Sequence, residues 1–171
     1  MNTLSYPSSQ RSPWKVALFL TLAFWLSISL MLDGIVMPSL YVSGMMTSPD
    51  FATAGYSLFW IFNRVELLCA AVIFTSVLMS RYVCHPFYRP GFLSIILSVV
   101  LLTISLIDTY GLTPQMGALG ISLNWLNPST EISVEMNQLH AGYWLLEMLK
   151  IAASAALLWT YIRWSVIVTQ D

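Results

Sequence analysis

The chain has 171 residues, of which 57% are hydrophobic and 9% charged, with a formal net charge of −1. Soluble domains carry about 25% charged residues, so composition excludes an ordinary water-facing surface and makes a bilayer the expected solvent. The length fits one domain, and the near-neutral charge gives no footing for a nucleic-acid partner.

Residues 1–12 form a polar N-terminal segment, and residues 13–165 are expected to form a four-span membrane domain. Ser12-Pro13 suits an N-cap and first turn. The first span, Val16 to Leu40, carries Asp33 between Met31 and Met37 and ends in Gly34-Ile-Val-Met-Pro38. Its apolar stretch exceeds a signal-peptide core and no A-x-A-like site follows, so it is expected to be retained. The next connection holds Met45 and Met46, soft side chains that suit Cu(I) as well as ordinary packing. Ser48-Pro49-Asp50 then marks a helix start, with an acid at its positive end.

The second span, Leu58 to Met79, places Asn63, Arg64 and Glu66 in an otherwise apolar run. Cys69 in that span and Cys84 beyond it are too far apart for a disulfide, since fifteen helical residues span roughly 22 Å. Pro90 opens the third span, Phe92 to Leu112, which carries Asp108. The connection Thr113 to Gln138 contains Gly117-Ala-Leu-Gly120 and Leu123-Asn-Trp-Leu126. It is compatible with a short interfacial helix or a surface loop. Asn127-Pro128 and Glu131 suit the start of the last helix, whose span, Leu139 to Ile162, carries His140, Tyr143, Glu147 and Lys150. Ala152-Ala-Ser-Ala-Ala156 offers a small-residue face for close packing.

Lys and Arg fix the expected orientation. Arg11 and Lys15 precede the first span, Arg81 and Arg89 lie between the second and third, and Arg163 follows the fourth, whereas the other two connections have none. Both termini should therefore be cytoplasmic. Trp14, Tyr82, Tyr88, Trp159 and Trp164 suit the inner interface, and Tyr41, Tyr56, Trp60 and Tyr110 the outer. The fold class is thus all-α, a four-helix transmembrane bundle with helices two and four extending beyond the outer face.

Helical rise also sets depth. Counted from the inner boundaries, Asp33 and Asp108 lie roughly 5 Å below the outer surface of a core about 30 Å thick. Arg64, Glu66, Glu147 and Lys150 lie roughly 7–13 Å below it. All six intramembrane charges fall in the outer half. A charge facing lipid costs a few kcal/mol or more, so these groups are expected to face inward and pair. Glu147 and Lys150 are three residues apart and share a face, as do Asn63 and Glu66. Arg64 points elsewhere on its helix, toward Asp33 or Asp108. His140 and Tyr143 continue the Glu147 stripe outward. The expectation is an outward-opening polar pocket lined by Asp33, Asn63, Arg64, Glu66, Asp108, His140, Tyr143, Glu147 and Lys150. The competing reading is a set of structural pairs that fix helix register. Asp33 followed by Pro38, and Asp108 by Pro114, hint at two copies of one hairpin.

Nothing matches G-x-x-x-x-G-K-[ST], H-E-x-x-H, C-x-x-C or G-x-S-x-G. No catalytic residues are expected, and a membrane redox enzyme is weakened by the separation of His85 from His140. Neither a metal nor a cofactor can be named from these residues. A first helix ending in Gly34-Ile-Val-Met-Pro38, a Phe-rich second helix charged at its centre and a last helix opened by Met136-Asn-Gln-Leu-His140 together resemble the transmembrane protein 205-like family. That family is a domain of unknown function distantly similar to the copper-resistance protein D four-helix domain. Pro38 and His140 match its motifs, and the resemblance covers roughly Trp14 to Trp164. It implies small-solute or metal handling, or a membrane accessory role. The leading expectation is a non-catalytic accessory, assembly or interaction protein, in contact with the lipid bilayer and with other membrane proteins or a second copy of itself. The alternative is a small-solute or metal-ion transporter or binding protein that uses the polar pocket.

Overall fold

A computed structural model of the chain describes residues 13–45, 51–83, 91–126 and 134–168. Helix α1 comprises Pro13–Met31, a π-helical turn over Leu32–Val36, and Met37–Val42. Helix α2 is Phe51–Val83. Helix α3 comprises Phe92–Ile107, a second π turn over Asp108–Leu112, and Thr113–Leu126. Helix α4 is Val134–Val168. All four contain a stretch long and apolar enough to cross a membrane, so the chain is an all-α multi-pass membrane protein. The expected caps at Ser12, Ser48-Pro49-Asp50, Pro90 and Asn127-Pro128, together with Met46, Cys84, His85 and Glu131, lie outside the described residues.

Each helix buries one narrow stripe at alternating three- and four-residue spacing, the pattern of a bundle seam. On α1 the stripe is Leu18, Leu22, Trp25, Ser29 and Leu32, and on α4 it includes Tyr143, Glu147, Lys150, Ser154 and Leu157. The other faces expose large apolar side chains such as Phe19, Leu20 and Phe24. That distribution is wrong for water and right for acyl chains. Neighbouring helices pack on one another and α4 closes on α1, completing the bundle. Its apolar core joins Leu18, Leu22 and Trp25 to Ala70, Ile73 and Val77, with Leu101 and Leu157 from the other two helices. Because lipid supplies no hydrophobic drive between helices, packing and polar contacts hold such a bundle together. Within the small-residue stretch of α4, Ala153 and Ser154 alone face the bundle.

The start of α2 at Phe51 and of α4 at Val134 agrees with helices that begin well before their apolar cores. The connection after the third span differs from expectation. Thr113–Leu126 is neither a loop nor a helix lying on the bilayer, because it continues α3 and packs along α2. Gly117 makes this possible. A Cβ there would come 2.3 Å from Cδ2 of Tyr56, so only glycine lets the Tyr56 ring lie against the α3 backbone.

The two π turns share a cause. Each is closed by the N–H of the residue before a proline: Met37 N–H donates to Leu32 O before Pro38, and Thr113 N–H donates to Asp108 O before Pro114. Proline lacks an N–H and its ring clashes with the carbonyl four residues back. Widening the preceding turn to an i→i−5 bond relieves that clash without a break in the helix. The hint of a repeated hairpin thus has a backbone counterpart, with Asp33 and Asp108 both inside these turns.

Candidate functional site

A layer of polar side chains crosses the bundle between the apolar core and the end opposite the start of α1 and the finish of α4, here called the distal end. Lys150 on α4 is its hub. Its Nζ stands 2.5 Å from Glu66 Oε2 on α2, 2.9 Å from Asp108 Oδ2 on α3 and 2.6 Å from Glu147 Oε1 one turn earlier on α4. Glu66 and Asp108 are fully buried and Glu147 and Lys150 nearly so. Helix α1 enters through Glu66, whose Oε1 accepts the Trp25 indole N–H at 2.7 Å and the Ser29 hydroxyl at 3.0 Å. Glu66 therefore has three donors from two other helices. Charge-assisted hydrogen bonds of this kind offset the removal of a carboxylate from water.

On the distal side, neutral side chains from α2, α3 and α4 continue the layer. Asn63 Nδ2 donates to Thr113 Oγ1, and Tyr143 OH donates to Asn63 Oδ1 at 3.4 Å. Thr109 Oγ1 lies 3.2 Å from Asn63 O and 2.7 Å from Ser105 O, tying α3 to the α2 backbone. The Phe59 ring meets Tyr143 edge-on at 5.4 Å between centroids. Asp33 is buried within electrostatic reach of Glu66 and Lys150, and its Oδ2 has no hydrogen-bond partner among the described residues.

Seven of the nine residues singled out from the sequence meet in this layer: Asp33, Asn63, Glu66, Asp108, Tyr143, Glu147 and Lys150. Two do not. Arg64 is exposed, and its Cζ lies 3.7 Å from the centroid of the Trp60 ring, so it pairs with neither Asp33 nor Asp108. The helical period explains this, since residues 63 and 66 share a face and residue 64 is turned about 100° away from Asn63. His140 is also exposed, with Nδ1 2.9 Å from its own helix carbonyl at Met136. The pocket does not open outward in this conformation, because Asn63, Thr113 and Tyr143 are buried over the carboxylates. Trp25 and Thr113 were missed, and Ser29 reads from the sequence only as a hydroxyl that lines a helix contact or bonds back to its own helix. For Trp25 and Ser29 a signal existed, as their four-residue spacing continues the Leu18–Leu22 stripe toward Asp33.

Two features bear on chemistry. Glu66, Asp108 and Glu147 each offer an oxygen within 4.8 Å of the others, a spacing that suits a shared small cation. The Lys150 ammonium contacts all three carboxylates, so it takes up the space that such an ion needs. With Asp33, four acids face one base, and Lys150 is the only base of the layer among the described residues. The serines and threonines elsewhere in the spans mostly bond back to their own helix, as Ser27 does to Ala23 O and Thr103 to Val99 O.

No family model, no curated protein and no solved structure matches the chain.

Proposed function

We propose that this multi-pass membrane protein takes up a small cation, a proton or a metal ion, at the Glu66–Asp108–Glu147 layer, in exchange with the ammonium of Lys150. The observation that carries this reading is the imbalance of the layer. Three carboxylates converge on one ammonium, with a fourth acid nearby. A register device needs matched partners, whereas surplus carboxylates in a water-poor interior call for a proton or a cation. The bound ion would satisfy oxygens of Asp108 and Glu147 that make no hydrogen bond of good geometry among the described residues. The reading is non-catalytic and falls in the class of small-ion binding and transport.

One experiment tests it directly. The purified protein is melted in detergent across a panel of monovalent and divalent cations and, separately, across pH. The expected result is a rise in melting temperature with one cation, or as pH falls, abolished in Glu147→Gln while helix content is kept. A melting temperature indifferent to every cation and to pH would overturn it.

The closure of the site favours a second reading. Glu66 and Asp108 are 0% exposed, so a solute has no route to them in this conformation. A sealed layer suits an accessory or assembly protein whose partners are other membrane proteins. Migration in mild detergent as a larger complex, unaffected by Glu147→Gln, supports that role.

A further inference from the structure

Arg64 is the one intramembrane charge that the layer does not use. It sits on the face of α2 turned away from the bundle and is exposed. Among the described residues no carboxylate pairs with it, and its guanidinium stacks on Trp60, one turn toward the start of the helix. Helical side chains lean toward the helix N-terminus, so the charge is carried about one turn, or roughly 5 Å, distal to its own Cα. That lifts the guanidinium out of the level of Glu66, two residues on, to the level of an exposed Trp. An exposed Trp near the end of a span marks the membrane interface, where lipid phosphates lie. A shallow groove of about 300 Å³ continues distally along the same face, lined by Tyr56, Ser57, Trp60 and Ile61.

We propose that Arg64, braced on Trp60, binds the phosphate of an anionic phospholipid in the leaflet that meets the N-terminal half of α2. Charge complementarity selects the occupant. A guanidinium facing lipid needs an anion, and its planar fork matches two phosphate oxygens. The face of Trp60 already holds a cation, so the ammonium of a zwitterionic headgroup gains no cation–π contact there and meets a like charge instead. The site therefore prefers a phosphatidylglycerol-like headgroup to phosphatidylcholine. It lies on the opposite side of α2 from Glu66 and does not depend on ion uptake by the layer.

Native mass spectrometry of the detergent-purified protein, titrated with phosphatidylglycerol or phosphatidylcholine, tests the assignment. The expected result is several-fold more bound phosphatidylglycerol than phosphatidylcholine, a preference abolished in Arg64→Gln and weakened in Trp60→Leu. Arg64→Lys keeps charge without the fork and retains part of the preference. Because Arg64 is exposed, circular dichroism and melting temperature should stay unchanged in these variants. Equal binding of the two lipids by the wild type would overturn the proposal, as would an unchanged preference in Arg64→Gln. Full displacement of the lipid by millimolar inorganic phosphate would assign the site to a soluble anion and overturn it. Loss of a co-purifying protein instead of lipid in Arg64→Gln would assign the guanidinium to a partner's acid and likewise overturn it.

Discussion

Replacing Lys150 with methionine keeps the length of the side chain and removes the ammonium that stands 2.5, 2.9 and 2.6 Å from three carboxylates. Breaking a buried ion pair by deleting one partner costs about 3–5 kcal/mol, and here three acids lose the same partner. Lys150→Met should therefore lower the melting temperature more than Glu147→Gln does, and adding Glu66→Gln to it should recover part of the loss. A thermal-shift series on the three variants checks this order. Trp25→Phe keeps an aromatic side chain, though a smaller one, and removes the N–H that Glu66 Oε1 accepts. The expected cost is about 1.5–3 kcal/mol, the range for a hydrogen bond to a charged group, read by denaturant titration in detergent micelles. At this scale the sequence was legible for the charges that the helical period turns inward. Glu147 and Lys150 at i,i+3 pair as their spacing implies. Arg64 was misplaced because depth alone does not say which way a side chain turns. Trp25 and Thr113 carry no charge, and the pairing of Asn63 with Thr113 spans 50 residues, beyond any local pattern.

The helices carry two devices that composition does not announce. The first is the proline-linked π turn. Pro114→Ala restores an N–H and lets the turn relax to i→i−4 bonding, which removes one residue's worth of slack. The segment beyond it then turns by about 100°, and Thr113 leaves Asn63. The expected outcome is a helix at least as stable as the native one with the distal side of the layer rearranged, visible in an experimental structure of the variant. The second device is the Gly117 contact with Tyr56. Gly117→Val drives a branched side chain into the ring, and overpacking of this sort costs about 1–3 kcal/mol. Thermal unfolding should show the loss, and Tyr56→Ala in the same chain should relieve it. Helix existence and span positions were readable, since runs of about 20 apolar residues have few alternatives in a bilayer. The distal part of α3 was not. The stretch holding Pro114, Gly117 and Gly120 reads equally as a short interfacial helix or a surface loop, and only its packing on α2 shows all three inside a continued helix.

Across the whole molecule, the distribution of Lys and Arg predicts an orientation for the bundle. Lys15, Arg81 and Arg163 gather at the end where α1 starts and α4 finishes. The positive-inside rule then predicts a cytoplasmic location for that end. A reporter active only outside the cytoplasm, fused after Asp171, should stay silent, and the same reporter inserted between α1 and α2 should be active.

The position of Lys150 in the chain has a consequence for biogenesis. Synthesis delivers Asp33, Glu66 and Asp108 to the bilayer on the first three helices, and the lysine that contacts two of them arrives only with the fourth. Until α4 inserts, the nascent bundle holds three acids with no counter-charge from its own inward faces, each a burden of a few kcal/mol in hydrocarbon. A chain truncated after Leu126 should insert poorly or be degraded quickly, and co-expression of α4 as a separate segment should rescue it. Pulse-chase labelling of the truncated and rescued forms measures that dependence.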